Sequence, residues 1–384
     1  MNKLSYKTFL ILFVLLFTKN QAIAQKKILK SKFVQSFISK DKDSTKTASV
    51  IALPVLAYSP ETGLEYGVLG NYVFTSDKLD SLTRSSDIGI ISSLTSKKQS
   101  NVKLALNYWS PKNKYHYIAL INYKNFPFSF YGIGDETLAA NKSLLSQKLL
   151  RLNFEGERLI LKNYYGGLNA QFESYVYKST SENEGLHLGD FYGGKGGKYI
   201  ALGVSQVYDA RNSNTYTTKG LYGRIKYAYA PNLWGQDNFN GSLISLDLRT
   251  FFPLNKKLTL GLNSIYKSTL GKNVPFYLMP QLGNDEMMRG YYQGRYRDKN
   301  LLTFQSELRY RIHPRIGLAA FGATGTVYHK GMDLSKLKFS FGSGIHYFFN
   351  IEHNVNIRLD YAIGEKTQGE QRQSGFYISL GQAF

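Results

Sequence analysis

The sequence predicts an all-β protein, a sixteen-stranded antiparallel transmembrane β-barrel. Three observations favour this fold: the alternation of side-chain types, the even number of alternating segments, and the unequal lengths of the connections. Apolar and polar residues alternate with a period of two through most of residues 50–384, as in the segment 150–155 (LRLNFE). Successive side chains of a strand point to opposite faces, so that one face meets lipid and the other a polar lumen.

The alternating segments number sixteen, and an even number places both ends of a bacterial barrel on the periplasmic side. We place the strands at 50–58, 61–76, 85–96, 100–109, 114–124, 148–157, 163–177, 198–209, 219–230, 241–252, 256–268, 301–312, 315–328, 335–349, 353–363 and 375–384. Because lipid offers no hydrogen-bond partner to an open sheet edge, the first and last strands are expected to close on each other.

The connections on the two sides of the predicted sheet differ in length. Several on the external side are long, at 125–147, 178–197, 269–300 and 364–374. Most on the other side are tight, such as His313-Pro314, although 77–84 and 210–218 are longer. Long external loops and short periplasmic turns are typical of outer-membrane barrels.

The N-terminal part of the sequence predicts export. Residues 1–24 read as a signal peptide, with a basic start, an apolar run at 9–17 and a small-residue cleavage site at 22–24. Residues 25–48 are expected to form a short periplasmic leader, whose apolar spacing fits either an amphipathic helix or a disordered segment. The barrel is expected to occupy residues 49–384.

Composition narrows the classes of function. The formal net charge is +21, but export and the dispersed placement of the basic residues argue against a nucleic-acid partner. Outer-membrane lipid phosphates or acidic glycans are the alternative partners for this charge. The six histidines have no metal-ligand spacing, and the glycine-rich segment 193–197 lacks the ending of a phosphate-binding loop. We therefore predict no catalytic residues, no cofactor and no metal site, and a protein that is not an enzyme.

The most specific segment is 286–311, EMMRGYYQGRYRDKNLLTFQSELRYR. It resembles the sixth external loop and the following strand of the BamA/TamA superfamily, also called the bacterial surface antigen family. The resemblance implies that this loop folds back into the lumen and carries the tip Arg289-Gly290-Tyr291. It further implies that Arg289 pairs with acidic residues of the inner wall, since a guanidinium offers a bidentate, always-charged fork.

Glu307 is the predicted partner of Arg289, because strand alternation turns Glu307 toward the lumen. The superfamily's next motif, Phe-x-Asp-x-Gly, reads here as residues 321–325, with Ala323 in place of the aspartate. Asp360, which also faces the lumen, is the candidate second partner. In a wet lumen, such a pair is expected to contribute about 1 kcal/mol.

The end of the chain resembles the C-terminal signal that the assembly machinery of outer-membrane barrels reads. Its alternating members are Phe376, Ile378, Leu380 and Phe384, while Gln382 departs from the usual aromatic residue. A weaker likeness is the segment 208–212 (YDARN), which is similar to the superfamily's Asp-x-Arg-Asp turn.

The resemblance implies a bacterial outer-membrane protein that assists the insertion or translocation of proteins, or of lipid, through a weak seam between the first and last strands. The implied partners are outer-membrane lipid and client proteins or envelope-complex subunits. About 24 residues lie between the signal and the first strand, which predicts a short form without the POTRA domains of assembly factors. Two alternatives are a structural or accessory subunit of an envelope complex and a passive solute channel.

Overall fold

The fold consists almost entirely of β-strands. It is seen in a computed structural model, which describes residues 48–59, 63–77, 80, 82–179, 188–235, 238–367 and 369–384. All of these residues belong to one compact unit, Ser44–Phe384. The predicted signal peptide and nearly all of the leader lie outside the described residues, so the domain boundaries remain predictions.

The strands follow one another around a single large sheet. The first nine are β1 (Ala48–Ser59), β2 (Gly63–Thr75), β3 (Ser85–Thr95), β4 (Ser100–Trp109), β5 (Tyr115–Phe130), β6 (Ser143–Leu161), β7 (Tyr164–Ser179), β8 (Gly196–Asp209) and β9 (Gly220–Ala230). The remainder are β10 (Gly241–Pro253), β11 (Leu258–Leu270), β12 (Gln281–Leu282), β13 (Tyr296–Arg297), β14 (Asn300–His313), β15 (Ile316–Tyr328), β16 (Lys338–Asn350), β17 (Val355–Ile363) and β18 (Ser374–Leu380). Apart from β12 and β13, which pair only with each other, all strands form one sixteen-stranded antiparallel sheet in chain order.

The sixteen predicted strands are confirmed, and several of them differ in length from the prediction. β5 and β6 extend beyond the predicted 114–124 and 148–157 toward the external side. Their ends were missed because a strand that rises above the bilayer no longer needs an apolar outer face. The last strand was predicted to reach Phe384, but β18 ends at Leu380.

The distribution of side chains is that of a membrane barrel rather than of a soluble sandwich. On β6, Leu152 and Phe154 point outward and are 39% and 52% exposed. On the same strand, Glu155 and Glu157 point inward and are only 4% and 2% exposed. Apolar side chains therefore cover the outside, and the charged ones are packed inside, as lipid on the outer face requires.

Contacts across the interior show that the sheet curls. The Ser85 hydroxyl on β3 lies 3.1 Å from Nδ1 of His353, in the turn after β16. The Asn214 side chain, in the turn after β8, donates to the carbonyl oxygen of the same Ser85 at 2.8 Å. Early, middle and late strands therefore meet at the short-turn end.

We call the two edges of the sheet that the described residues leave unpaired, on β1 and on β18, the seam. Within the described residues, β1 pairs with β2 and β18 pairs with β17, and no backbone ladder joins β1 to β18. The backbone pairing that we expected between the first and last strands is therefore not found there. None of the helices in the described part of the chain has the length and apolar character of a membrane-spanning helix.

Candidate functional site

The connection between β11 and β14, which we call loop 6 (residues 271–299), turns into the interior of the barrel. Its short β12–β13 hairpin carries the predicted tip, and all three tip residues, Arg289, Gly290 and Tyr291, are buried. Leu282, Met288 and Tyr296 of the same loop pack with Leu301 of β14 in one apolar cluster. The loop is thus a packed part of the interior.

The structure brings Arg289 and Glu307 together. Arg289 Nη2 donates to Glu307 Oε2 at 2.5 Å, and its Nη1 donates to Asp360 Oδ2 at 2.6 Å. The guanidinium also lies 3.3 Å from the centroid of the Phe321 ring, a cation–π contact. One arginine at the loop tip therefore joins two strands of the wall, β14 and β17.

Two further arginines complete what we call the loop-lock cluster: Arg289, Glu307, Asp360, Arg309 and Arg358. Arg309 Nε donates to Glu307 Oε1 at 2.7 Å, and Arg358 Nη1 donates to Asp360 Oδ2 at 2.6 Å. Every side chain of the cluster is at most 1% exposed. The pair is therefore buried rather than in a wet lumen, and breaking it costs more than breaking a surface pair, because an uncompensated charge would remain in the interior.

The glycine and tyrosine of the tip have separate structural roles. Gly290 has φ +106°, and a Cβ there would lie 2.8 Å from the carbonyl carbon of Ile363. Its N–H donates to the Tyr377 hydroxyl on β18 at 2.8 Å. The Tyr291 hydroxyl donates to the carbonyl oxygen of Phe339 at 2.8 Å, and burial raises the pKa of this phenol, which stays protonated.

Asp285 provides a second connection from loop 6 to the last two strands. The Ser379 hydroxyl on β18 donates to Asp285 Oδ2 at 2.7 Å, and Arg358 Nη2 donates to the same oxygen at 3.2 Å. Sequence reasoning missed Asp285, Tyr377 and Ser379. The available signal was the polar character of inward positions on β18, which a lipid-facing pattern does not require.

Apolar side chains of loop 6 pack against β5–β9 in the external half of the lumen. Phe276 of loop 6 lies 5.0 Å from the Phe130 ring and 4.8 Å from the Tyr177 ring, and Tyr277 stacks on Tyr175 at 4.4 Å. The cluster spans β5–β9 and loop 6, and its buried members are Phe130, Leu145, Leu149, Tyr175, Tyr177, Tyr199, Ala201, Ala228, Ala230, Phe239, Val274, Phe276, Tyr277 and Met279. Loop 6 is therefore packed against the inner face of β5–β9 by an apolar cluster.

A polar chamber of about 440 Å³ lies in the periplasmic half. Asp285 and Glu286 of loop 6 border the chamber, as do Arg211 and Asn214 of the turn after β8. Its wall includes residues of β2 and β3 and Ile378, Ser379 and Leu380 of β18. The chamber is therefore lined by strands from both ends of the sheet.

The predicted C-terminal signal divides between two locations. Phe376 and Ile378 point outward and are 65% and 68% exposed, as expected of lipid-facing residues. Phe384 does not continue this face, because the chain leaves the strand at Gly381, where φ is +75°. Its ring packs inside on Phe251, and its carbonyl oxygen accepts from Arg309 Nη2 at 2.8 Å.

The remaining sequence features lie apart from the loop-lock cluster. Asp209, in the Asp-x-Arg segment, is buried and pairs with Arg211 at 2.8 Å and Arg84 at 3.0 Å. His116 is bound to Glu157, Nδ1 to Oε2, at 2.6 Å. No group of three His, Cys, Asp or Glu residues arranged to hold a metal ion occurs in the ranges that the structure describes.

These features define a class of protein: an outer-membrane barrel whose sixth external loop is folded into its lumen. The model of the Omp85 superfamily domain matches residues 70–384. The chain therefore belongs to the Omp85 superfamily, which confirms the resemblance, and it is an outer-membrane protein. The superfamily acts in protein insertion or translocation, and a search of curated proteins found no match to this sequence.

Solved structures share the fold. BamA from Haemophilus ducreyi, in a crystal structure lacking POTRA domains 1–3, matches with 14% identity and a TM-score of 0.55 over 87% of this chain and 70% of that one. CdiB from Acinetobacter baumannii matches with 14% identity and a TM-score of 0.55, over 88% of this chain and 60% of that one. CdiB from Escherichia coli matches with 8% identity and a TM-score of 0.54, over 87% and 62%. The chain thus spans less than two thirds of both CdiB proteins.

Proposed function

We propose that this barrel assists the insertion or translocation of client proteins at the outer membrane, and that it does so at its seam. The observation that carries the proposal is the state of β18. This strand has a ladder on one side only among the described residues, and its inward side chains Tyr377 and Ser379 bind Gly290 and Asp285 of loop 6. An unpaired strand edge is a template on which another strand can form hydrogen bonds.

The polar chamber supports the same proposal. It is bordered by β18 and by β2 and β3, so that polar surface lies close to both edges of the seam. A client segment needs such surface, because its backbone groups have no partners in hydrocarbon. Loop 6 and the apolar side chains that pack on it occupy part of the external lumen beside β5–β9, which does not favour the passive solute channel, because that function requires a continuous aqueous path.

Proteoliposomes provide the direct test. We expect a urea-denatured outer-membrane barrel protein to fold faster into vesicles that contain this protein than into protein-free vesicles, as measured by heat-modifiable migration on gels. In cells, depletion is expected to lower the amounts of several other outer-membrane barrels. Unchanged folding rates together with an unchanged outer-membrane proteome would refute the proposal and favour the structural or accessory role.

Arg289→Ala tests the link between loop 6 and this activity. The change removes the contacts to Glu307 and Asp360, so the loop should loosen and proteolysis within residues 269–300 should increase. Lys272→Ala is the matched control, because it removes an exposed cation from the same loop. Equal cleavage and equal folding activity in the two variants would show that the loop-lock cluster does not hold loop 6.

A further inference from the structure

A groove of about 400 Å³ crosses the outer face of β5, β6 and β7 near their short-turn ends. Gly156 forms its floor, because it has no side chain to fill the space, whereas Gly166 lies at its edge, where the Ile160 side chain approaches to 2.7 Å of the position of a Cβ. Tyr115, Tyr117 and Leu168 border it, and Leu168 is 71% exposed. The groove therefore presents apolar walls to the lipid.

Arg158 lies at the periplasmic end of this groove and on the lipid-facing side of β6. It alternates with the exposed residues Phe154 and Ile160 and pairs in register with Tyr115 and Gly166. No ion pair of Arg158 is found among the residues that the structure describes. A charged side chain at the edge of hydrocarbon is costly unless its head reaches a polar partner at the interface.

The neighbouring charges are also positive. Lys114 Nζ lies 5.5 Å from the centre of the Tyr115 ring, and Lys162 is exposed in the turn that follows β6. The carboxylates next to Arg158 along β6 point to the other face: Glu155 binds Lys226 at 2.8 Å and Glu157 binds Arg224 at 2.5 Å, both inside the barrel. Arg158 lines the groove, Lys114 and Lys162 lie close to it in the chain or in register, and within the described ranges none of these three cations forms an ion pair with a carboxylate.

We propose that this groove is a binding site for one anionic phospholipid of the inner leaflet. The short-turn end of a bacterial barrel faces the periplasm, so the headgroups at this level belong to phospholipids. An acyl chain lies over Gly156, between the tyrosines of β5 and Leu168 of β7. The phosphate accepts hydrogen bonds from the guanidinium of Arg158, a fork that suits phosphate oxygens, and Lys114 and Lys162 add attraction for a net negative headgroup.

Native mass spectrometry of the detergent-purified protein tests the site, with dioleoyl-phosphatidylglycerol and dioleoyl-phosphatidylcholine as the two probes. We expect one phosphatidylglycerol to remain bound with at least tenfold preference over phosphatidylcholine. Arg158→Gln with Lys162→Gln should weaken phosphatidylglycerol binding by about tenfold or more, given roughly a fivefold contribution from each cation near an anionic surface. Lys178→Gln, an exposed cation near the external end of β7, is the matched control and should change nothing.

A second variant tests the groove separately from the charges. A Cβ at position 156 would lie 3.5 Å from the Tyr117 ring, an ordinary contact, so Gly156→Leu should fold and fill the groove. We expect it to lose lipid retention although every cation remains, with heat-modifiable migration on gels reporting that the barrel is intact. Equal retention of the two lipids by the unaltered protein would overturn the proposal. An acidic protein would then be the favoured partner of these cations. Unchanged retention in Gly156→Leu, or an equal loss in Lys178→Gln, would overturn it as well.

Discussion

The wall around β6 and the wall around β18 are built differently, although the same loop is fastened to both. β6 has 19 residues and is paired along both edges, whereas β18 has 7 residues and a described ladder on one edge only. Loop 6 contacts the wall around β6, which we call the tall side, through aromatic packing, with Phe276 against Phe130 and Tyr177. It contacts the wall around β18, which we call the short side, through ion pairs and hydrogen bonds.

The two kinds of contact differ in how easily they can be exchanged: the apolar packing is hard to replace, whereas the hydrogen bonds to β18 are easier to replace. Apolar packing on the tall side is lost only if a large surface is exposed to water, which is unfavourable. Hydrogen bonds such as that between Gly290 and Tyr377 can be replaced by bonds to water or to another chain at small net cost. Under the proposed function, the loop would stay attached to β5–β9 while β18 changes partners.

The largest expected effect on this contrast comes from Glu307→Ala. The substitution leaves Arg289 and Arg309 buried without the carboxylate that both contact, and we expect the free energy of unfolding to fall by about 3–4 kcal/mol. Urea titration in lipid vesicles, followed by tryptophan fluorescence, measures it. Glu136→Ala removes an exposed glutamate paired with Lys336 and should leave the unfolding midpoint unchanged. Equal midpoints for the two variants would place the stability of the barrel outside the loop-lock cluster.

Hydrogen exchange should separate the two walls without mutation. Amides of β18 are expected to exchange at least about a hundredfold faster than those of β6, because a short strand with one paired edge opens locally at low cost. Mass spectrometry of peptides from the protein in nanodiscs measures both strands in one experiment. Similar protection of β6 and β18 would show that the seam is closed in the membrane.

An intermediate effect is expected from Phe384→Ala. The change removes the ring that packs on Phe251 and that lies 5.1 Å from the Arg309 guanidinium, for a loss of about 2 kcal/mol. The loss should appear in urea titration and should leave the proteolysis of loop 6 unchanged. Phe376→Ala, on the lipid-facing side of β18, distinguishes a role inside the barrel from one at the lipid surface. If Phe376→Ala alone were destabilising, the inward contact of Phe384 would carry no stability.

The smallest expected effect comes from Glu370→Gln, at the external ends of the loops. Glu370 accepts from Arg295 Nη2 at 2.8 Å, and its Oε1 accepts from the Ala139 N–H at 2.5 Å, so three loops meet at one carboxylate. We expect proteolysis within residues 364–374 to rise about fivefold, which corresponds to about 1 kcal/mol. Lys366→Gln, an exposed change in the same loop, should have no effect. Equal cleavage of the two variants would show that contacts other than those of Glu370 hold the ends of these loops together.

The wall was predictable because lipid enforces a simple rule on every second residue. In a segment such as 150–155, the alternation of apolar and polar residues shows which side chains share a face. The turn residues between such segments mark the strand ends. The same rule stops at the membrane surface, which is why the external extensions of β5 and β6 were missed. At Gly381 a positive φ ends the strand, and alternation alone does not reveal this.

The interior was predictable only in part. The partnership of Arg289 with Glu307 followed from a motif and strand parity, and Asp360 was proposed from its lumen-facing position. Burial of the pair was not foreseen, because it depends on Phe321 and on how loop 6 fills the bore. Contacts such as that of Asp285 with Ser379 depend on the path of a loop with no periodic pattern, so nothing in the local sequence specifies them.

The inward position of Phe384 has a practical consequence for anyone labelling this protein. Its carbonyl oxygen is held by Arg309, which in turn contacts the glutamate bound by Arg289. An epitope or histidine tag fused after Phe384 would therefore begin inside the bore and displace that contact. An insertion in the exposed external turn at Lys97-Lys98 avoids this disturbance and leaves the tag accessible to antibodies from outside the cell.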